Sequence, residues 1–147
     1  MTPLLITAVA IVVALGLAGL VGWLMNRRSG VLRGASAPGD DGAAQLDIED
    51  LGLSLTGPTI VHFSAVWCGP CASVRRVVNQ VCSQLGDQNE VAHVEIDMDA
   101  NPAAARRLSV LSLPTTFIFD ADGRLRYRAA GVPKAADLRS ALEPLLA

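Results

Sequence analysis

The chain has 147 residues, with 12 Lys/Arg against 14 Asp/Glu and a formal net charge of −2, so it lacks the basic excess that a nucleic-acid partner requires. Hydrophobic residues make 51% of the sequence and charged ones 18%, but the apolar excess is concentrated near the N-terminus, leaving room for one domain of about 100 residues. Three cysteines, two of them only three positions apart, exclude a disulfide framework that staples distant segments.

Pro3 to Met25 contains no charged side chain. As a helix rising about 1.5 Å per residue it is long enough for the hydrocarbon core of a bilayer, and residues 1–28 are expected to form a transmembrane anchor. A cleaved signal peptide is the alternative, since Ala35-Ser36-Ala37 has the small-x-small form of a cleavage site. The length of the run, the lack of a preceding positive residue and the intervening Arg27, Arg28 and Arg33 oppose it. Trp23 followed by Arg27 and Arg28 suits an interfacial anchor. Because the arginines flank only the C-terminal side, the positive-inside rule leans towards a cytoplasmic domain, with an extracytoplasmic one as the alternative. Ala14, Ala18 and Gly22 form a small-residue stripe of a kind common in membrane segments.

Residues 29–45 are rich in Gly, Ala, Ser and Asp without hydrophobic period, and are expected to be a flexible linker. Residues 46–147 form the expected domain, which from Leu46 onward carries nine Lys/Arg and twelve Asp/Glu. Leu46–Leu55 is weakly patterned and ends at the turn Thr56-Gly57-Pro58. Thr59–Ala65 is β-branched and apolar, as befits a strand buried on both faces. Pro70 opens a helix with Val74, Val77, Val78, Val81, Cys82 and Leu85 at helical spacing and Gly86 as its stop. Val91–Asp97 is a second strand. Asn101-Pro102 should cap a short helix from Ala103 to about Leu108. Thr115–Asp120 and Arg124–Ala130 are strands joined by the hairpin signal Ala121-Asp122-Gly123, and Leu138, Ala141, Leu142 and Leu145 mark one face of a final helix. This alternation predicts an α/β fold, a mixed sheet covered by helices on both faces.

Trp67-Cys68-Gly69-Pro70-Cys71 places two thiols where a strand gives way to a helix. Unpaired backbone N–H groups and the partial positive charge of a helix N-terminus favour thiolate over thiol at the first sulfur, so Cys68 is the expected nucleophile. Cys71, one turn on, can displace a mixed disulfide by intramolecular attack and is the expected resolving residue. Cys82 lies eleven residues after Cys71 on the same helix, about 16 Å along its axis, beyond the roughly 7 Å that a disulfide spans, and is expected in the core. A zinc site built from Cys68, Cys71 and the histidines is disfavoured, since the spacing matches no usual finger; no metal is expected. Arg75 and Arg76 are expected on a solvated face, with attraction of acidic partners as the alternative.

These residues, with Leu113-Pro114-Thr115 before a later strand, resemble the thioredoxin family from about Thr59 to Ala147. The resemblance implies the thioredoxin fold, reversible dithiol–disulfide exchange with no cofactor beyond a Cys68–Cys71 disulfide, and Pro114 as a cis-proline beside the active-site pair. It also implies a substrate groove bordered by Trp67, Gly69, Pro70, Leu113 and Gly131. The Gly-Pro dipeptide between the cysteines resembles the reducing members, so a protein-disulfide reductase is expected; a membrane-tethered redox scaffold or chaperone-like module with little turnover is the alternative. Expected partners are protein disulfides or dithiols, a thioredoxin reductase or a membrane electron donor, and the lipid bilayer, without nucleic acid.

One departure from the family concerns the proton. The family usually carries a buried Asp six residues before the first cysteine and a Lys on the neighbouring strand, where this sequence has His62 and His93. Two roles are open: a neutral His62 that accepts the Cys71 proton, with His93 beside it, or two neutral core imidazoles that fill space.

Overall fold

The computed structural model describes residues 3–27, 29–35, 51–85 and 91–147. Arg28, residues 36–45 of the expected linker with Ser36 and Ala37 of the candidate cleavage site, residues 46–50 of the domain and the helix stop Gly86 lie outside the described residues.

Helix α1 (Pro3–Arg27) has 25 residues and none of them is buried against the rest of the protein. At about 1.5 Å per residue it measures roughly 37 Å, long and apolar enough to cross a membrane. At its end the Arg27 guanidinium stacks 3.9 Å from the Trp23 ring centroid.

The remaining elements are β1 (Arg33–Gly34), β2 (Thr59–Ser64), α2 (Cys71–Leu85), β3 (Ala92–Asp97), α3 (Pro102–Arg107), β4 (Thr115–Phe119), β5 (Leu125–Ala130) and α4 (Ala135–Leu142), closed by a 3-10 turn over Glu143–Leu145. Among the described residues the sheet runs in the order β1-β5-β4-β2-β3. β2 and β3 are parallel and joined through α2, as a βαβ crossover requires, whereas β4 is antiparallel to both β2 and β5. All six residues of the central strand β2 are buried, as its sequence predicts.

Alternation along β2 and β4 divides the core. Val61, Phe63, Phe117 and Phe119 face Leu51, Leu53, the α3 residue Ala105 and Leu108 just after α3, while Ile60 and Ile118 face Val74, Val78, Val81, Leu138, Ala141 and Leu142 on α2 and α4. Phe63 and Phe117 meet edge to face at 5.9 Å. Cys82 is a free thiol that packs, half-buried, against the α2–α4 layer, and burial raises its pKa. The β4–β5 hairpin closes through the Asp120 carboxylate, which accepts from the backbone N–H of Asp122 and Arg124, and Gly123 supplies the positive φ of +76°.

Two features differ from the sequence expectation. Asn101 precedes α3 but does not cap it with its side chain; the Asn101 Nδ2 instead donates to the Asp97 carbonyl 3.1 Å away, which ties the loop back to β3. The second difference is larger. The first part of the expected linker, residues 29–35, is docked: Arg33 and Gly34 pair antiparallel with Arg128 and Tyr127 of β5, and the Ala35 N–H donates to the Arg126 carbonyl at 2.9 Å. Leu32 packs against the α2–α4 core, and Gly30 and Gly131 meet with φ of +80° and +88°. A two-residue strand without alternating apolar residues leaves little signal in the sequence, so its pairing is set by the neighbouring edge rather than by its own pattern.

Candidate active site

The C-terminal end of β2, the N-terminal end of β4 and the C-terminal end of β5 lie side by side, because Thr115 pairs with both Phe63 and Ala130. Every sequence-predicted site residue belongs to this end of the sheet or to the layer beneath α2.

After β2 the chain turns through Val66 and Trp67, and the Cys68 N–H donates to the Ala65 carbonyl at 3.0 Å. Cys68 and Cys71 are joined by a disulfide with Cα atoms 5.6 Å apart. Their surroundings are unequal: Cys68 is half-buried at the turn, whereas Cys71 has no exposed surface and its Sγ lies 3.9 Å from the Phe63 carbonyl. A reagent from solvent therefore reaches Cys68 first. Gly69 and Pro70 border the turn, and the Pro70 carbonyl accepts the N–H groups of Ser73 and Val74 in the first turn of α2.

Trp67 is held over the turn by its indole N–H, which donates to Asp99 Oδ2 at 3.0 Å; the Asp99 backbone N–H is bound in turn by Asp97 Oδ1 at 2.8 Å. Val66 and Trp67, directly before Cys68, are nonetheless exposed, and so is Leu111 in the segment that leads to Pro114. The Leu113–Pro114 peptide is cis, Pro114 is buried, and its carbonyl accepts the Gly131 N–H at 2.8 Å. Leu113 is half-buried against the core on the α3 side. Pro114 and Gly131 are thus linked directly, and Pro114 lies one residue beyond the Thr115–Phe63 pairing that leads to the cysteines.

Beneath α2, His62 Nδ1 lies 2.8 Å from His93 Nε2, with the rings stacked at 4.9 Å between centroids. His62 shares its face of β2 with Ile60, the face covered by α2. It has no exposed surface, and its Nε2 is 3.5 Å from Glu95 Oε1 without a hydrogen-bond partner. Burial, reinforced by His93, lowers the His62 pKa from 6.5 to about 4, and burial also lowers that of His93. Both imidazoles are therefore neutral at pH 7, and His62 is a weaker resting base than an unperturbed histidine.

Sequence reading alone missed what surrounds this pair. Arg75 reaches from α2 to Glu95 on β3, with Nε 2.8 Å from Oε2, so it is not only a solvated charge on a helix face. Burial pushes the Glu95 carboxyl up, but the Ser64 hydrogen bond, the nearby His62 and the Arg75 contact outweigh that and bring it below its ordinary value. Glu95 stands two residues after His93 and shares its face of the strand, which was the available signal. Among the described residues no group of three or more His, Cys, Asp or Glu side chains is placed to hold a metal ion.

A half-accessible cysteine bonded to a buried one at the mouth of a helix, beside a cis-proline loop on this mixed sheet, defines a thiol–disulfide oxidoreductase of thioredoxin fold. The family model "Thioredoxin" matches residues 52–144. The chain is 43% identical over 94 residues to a thioredoxin of Mycolicibacterium smegmatis, covering 63% of this chain and 83% of that one. It is 38% identical over 87 residues to the bifunctional thioredoxin reductase/thioredoxin of Mycobacterium leprae, 59% of this chain and 19% of that one. Among solved structures it resembles a mutant thioredoxin from Halobacterium salinarum, with a TM-score of 0.56, 30% identity, and coverage of 69% of this chain and 84% of that one. Chloroplastic thioredoxin z gives a TM-score of 0.54 at 33% identity, covering 61% and 79% respectively. The chain belongs to the thioredoxin family.

Proposed function

We propose that the protein is a membrane-tethered protein-disulfide reductase in which Cys68 attacks and Cys71 resolves. The observation that carries this reading is the unequal exposure of the bonded pair, Cys68 half-buried and Cys71 fully buried. In the reduced protein the Cys68 thiolate, favoured by the α2 N-terminus, attacks one sulfur of a substrate disulfide. A Cys68–substrate bond forms and the first substrate thiol leaves, taking up a proton. The deprotonated Cys71 then attacks the Cys68 sulfur, re-forming the Cys68–Cys71 disulfide and releasing the second thiol. The substrate gains two electrons and two protons. The two electrons return from a dithiol donor: a thioredoxin reductase for a cytoplasmic domain, as the fused Mycobacterium leprae relative suggests by its name, or a membrane electron donor otherwise.

Proton loss from Cys71 is the step that a buried site makes hard. A neutral imidazole can take a proton at one ring nitrogen while releasing one from the other. With Nδ1 2.8 Å from His93 Nε2 and Nε2 3.5 Å from Glu95 Oε1, His62 in this reading acts as such a relay rather than storing the proton. Pro114, with Leu113, and Gly131 form the wall against which an extended substrate strand lies, opposite Trp67, Gly69 and Pro70. Tethering rests on α1 and on the arginines Arg27, Arg28 and Arg33 beyond its apolar run, which lean towards a cytoplasmic domain.

The test is insulin-disulfide reduction by the full chain, parent against Cys68→Ser. Loss of turnover in the variant is expected; equal turnover would leave the redox-scaffold reading in its place.

A further inference from the structure

The docked segment after α1 enters the sheet at the same end as the active site. The Gly30 N–H donates to the Ala130 carbonyl, and Gly30 is buried against Val132. From there the chain runs along β5 away from the active site, through Arg33 opposite Arg128 to Ala35 bonded to Arg126. Three contacts fix the direction: the Gly30 bond, the Leu32 side chain in the α2–α4 core, and the β1–β5 pairing. Gly30 lies three positions after Arg27, the end of α1, a span of at most about 10 Å. Gly131 is bonded to Pro114, and Ala130 is separated from Phe63 by two strand spacings of about 4.8 Å. The end of the apolar helix therefore lies within roughly 25 Å of Phe63, at the active-site end of the sheet, on a mount rather than a free leash.

Resting on the membrane-tethered reading above, we infer that this mount holds the Cys68 face close to the bilayer surface and selects disulfides in the membrane-proximal segments of other membrane-anchored proteins. A long flexible linker would let the domain sample substrates far from the membrane; a strand clamped at Gly30 and Leu32 removes that freedom. The exposed Val66 and Trp67, directly before Cys68, suit the apolar residues that flank a spanning segment. The exchange is the one already written, with the pre-reduced protein as the source of the two electrons.

The experiment uses the full chain, pre-reduced, in liposomes with one of two single-span reporter peptides. One carries a disulfide-closed loop directly after its span, and the other carries the same loop beyond a rigid helical spacer of about 60 Å. Single-turnover reduction of the near reporter is expected to be at least tenfold faster; equal rates, or a faster far reporter, would overturn the inference. Two variants test the mount itself. A flexible Gly-Ser insertion between Arg28 and Ser29 lengthens the reach without touching the domain, and Gly30→Val places a side chain into the Val132 carbonyl oxygen at a positive φ. Both should bring the near-to-far ratio towards one, and in the insertion variant the rate on a soluble disulfide peptide should stay unchanged; an unaltered ratio in the insertion variant would overturn the mount. Flotation of the chain with the liposomes separates the two readings. A chain that does not float defeats the anchoring and this inference together, whereas one that floats and shows no preference defeats this inference alone.

Discussion

His62 Nδ1 and His93 Nε2 lie 2.8 Å apart beneath the helix that carries the resolving cysteine, with the Arg75–Glu95 ion pair closing over them from α2 to β3. If this pair relays the Cys71 proton, His62→Leu removes the relay while keeping an apolar filling of similar size. Resolution of a Cys68 mixed disulfide should slow several-fold, with the rate of the initial attack unchanged. Stopped-flow tryptophan fluorescence can follow both phases; an unchanged second phase would make the pair a packing feature.

The same histidines set how stability depends on pH. The folded-state pKa of His62 is about 4 against 6.5 for the free side chain, and that of His93 is lowered too, so between these values the unfolded chain binds more protons. The contribution of the two histidines to stability is therefore full above pH 6.5 and is lost as the pH falls towards 4, by an amount on the order of 3 kcal/mol for His62. The lowered Glu95 pKa acts in the same direction below its ordinary value of 4.5. Urea midpoints at pH 7 and pH 4.5 should differ clearly in the parent, and the difference should shrink in His62→Leu.

Packing outweighs surface charge in this fold. Phe117 has no exposed surface and sits between Phe63 and Phe119, so Phe117→Ala should cost about 3–5 kcal/mol. Arg75, with its side chain 49% exposed, pairs with a Glu95 side chain that is 32% exposed, so Arg75→Ala should cost less than about 1 kcal/mol. Chemical denaturation of the two variants measures both; a larger loss for Arg75→Ala would mean that the ion pair holds the histidine layer together.

What the sequence made legible follows from where each signal resides. Cys68 and Cys71 stand in one short motif at the end of a strongly patterned strand, so their element could be read from the residues, whereas the place of Pro114 beside them came from the family resemblance. His62 and His93 could be placed through the family resemblance because their strands are adjacent in it. The Arg75–Glu95 clamp joins a helix residue to a strand residue 20 positions later, and nothing in either local pattern marks the meeting. The docking of residues 29–35 was hidden for a different reason. Its hold comes from one leucine, Gly30 at positive φ against Gly131, and backbone hydrogen bonds, in a segment whose composition is that of a linker.

Helix α1 predicts its own test. Arg placed at the centre of a spanning helix costs about 2.5–3.5 kcal/mol per residue on translocon scales. The double variant Val12→Arg, Leu15→Arg should move the protein from the membrane fraction to the soluble one. Neither residue is buried against the domain, so insulin reduction by the released protein should continue. A parent chain found wholly in the soluble fraction would contradict the anchor.

The most direct test of the central claim is capture of the mixed disulfide. Reduced Cys71→Ser protein, mixed with a disulfide peptide and quenched with acid, should carry the peptide on Cys68, as peptide mapping by mass spectrometry will show, while Cys68→Ser protein should carry none. Peptide attached equally to Cys71 in the Cys68→Ser protein, or absent from both, would contradict the division of roles between the exposed and the buried sulfur.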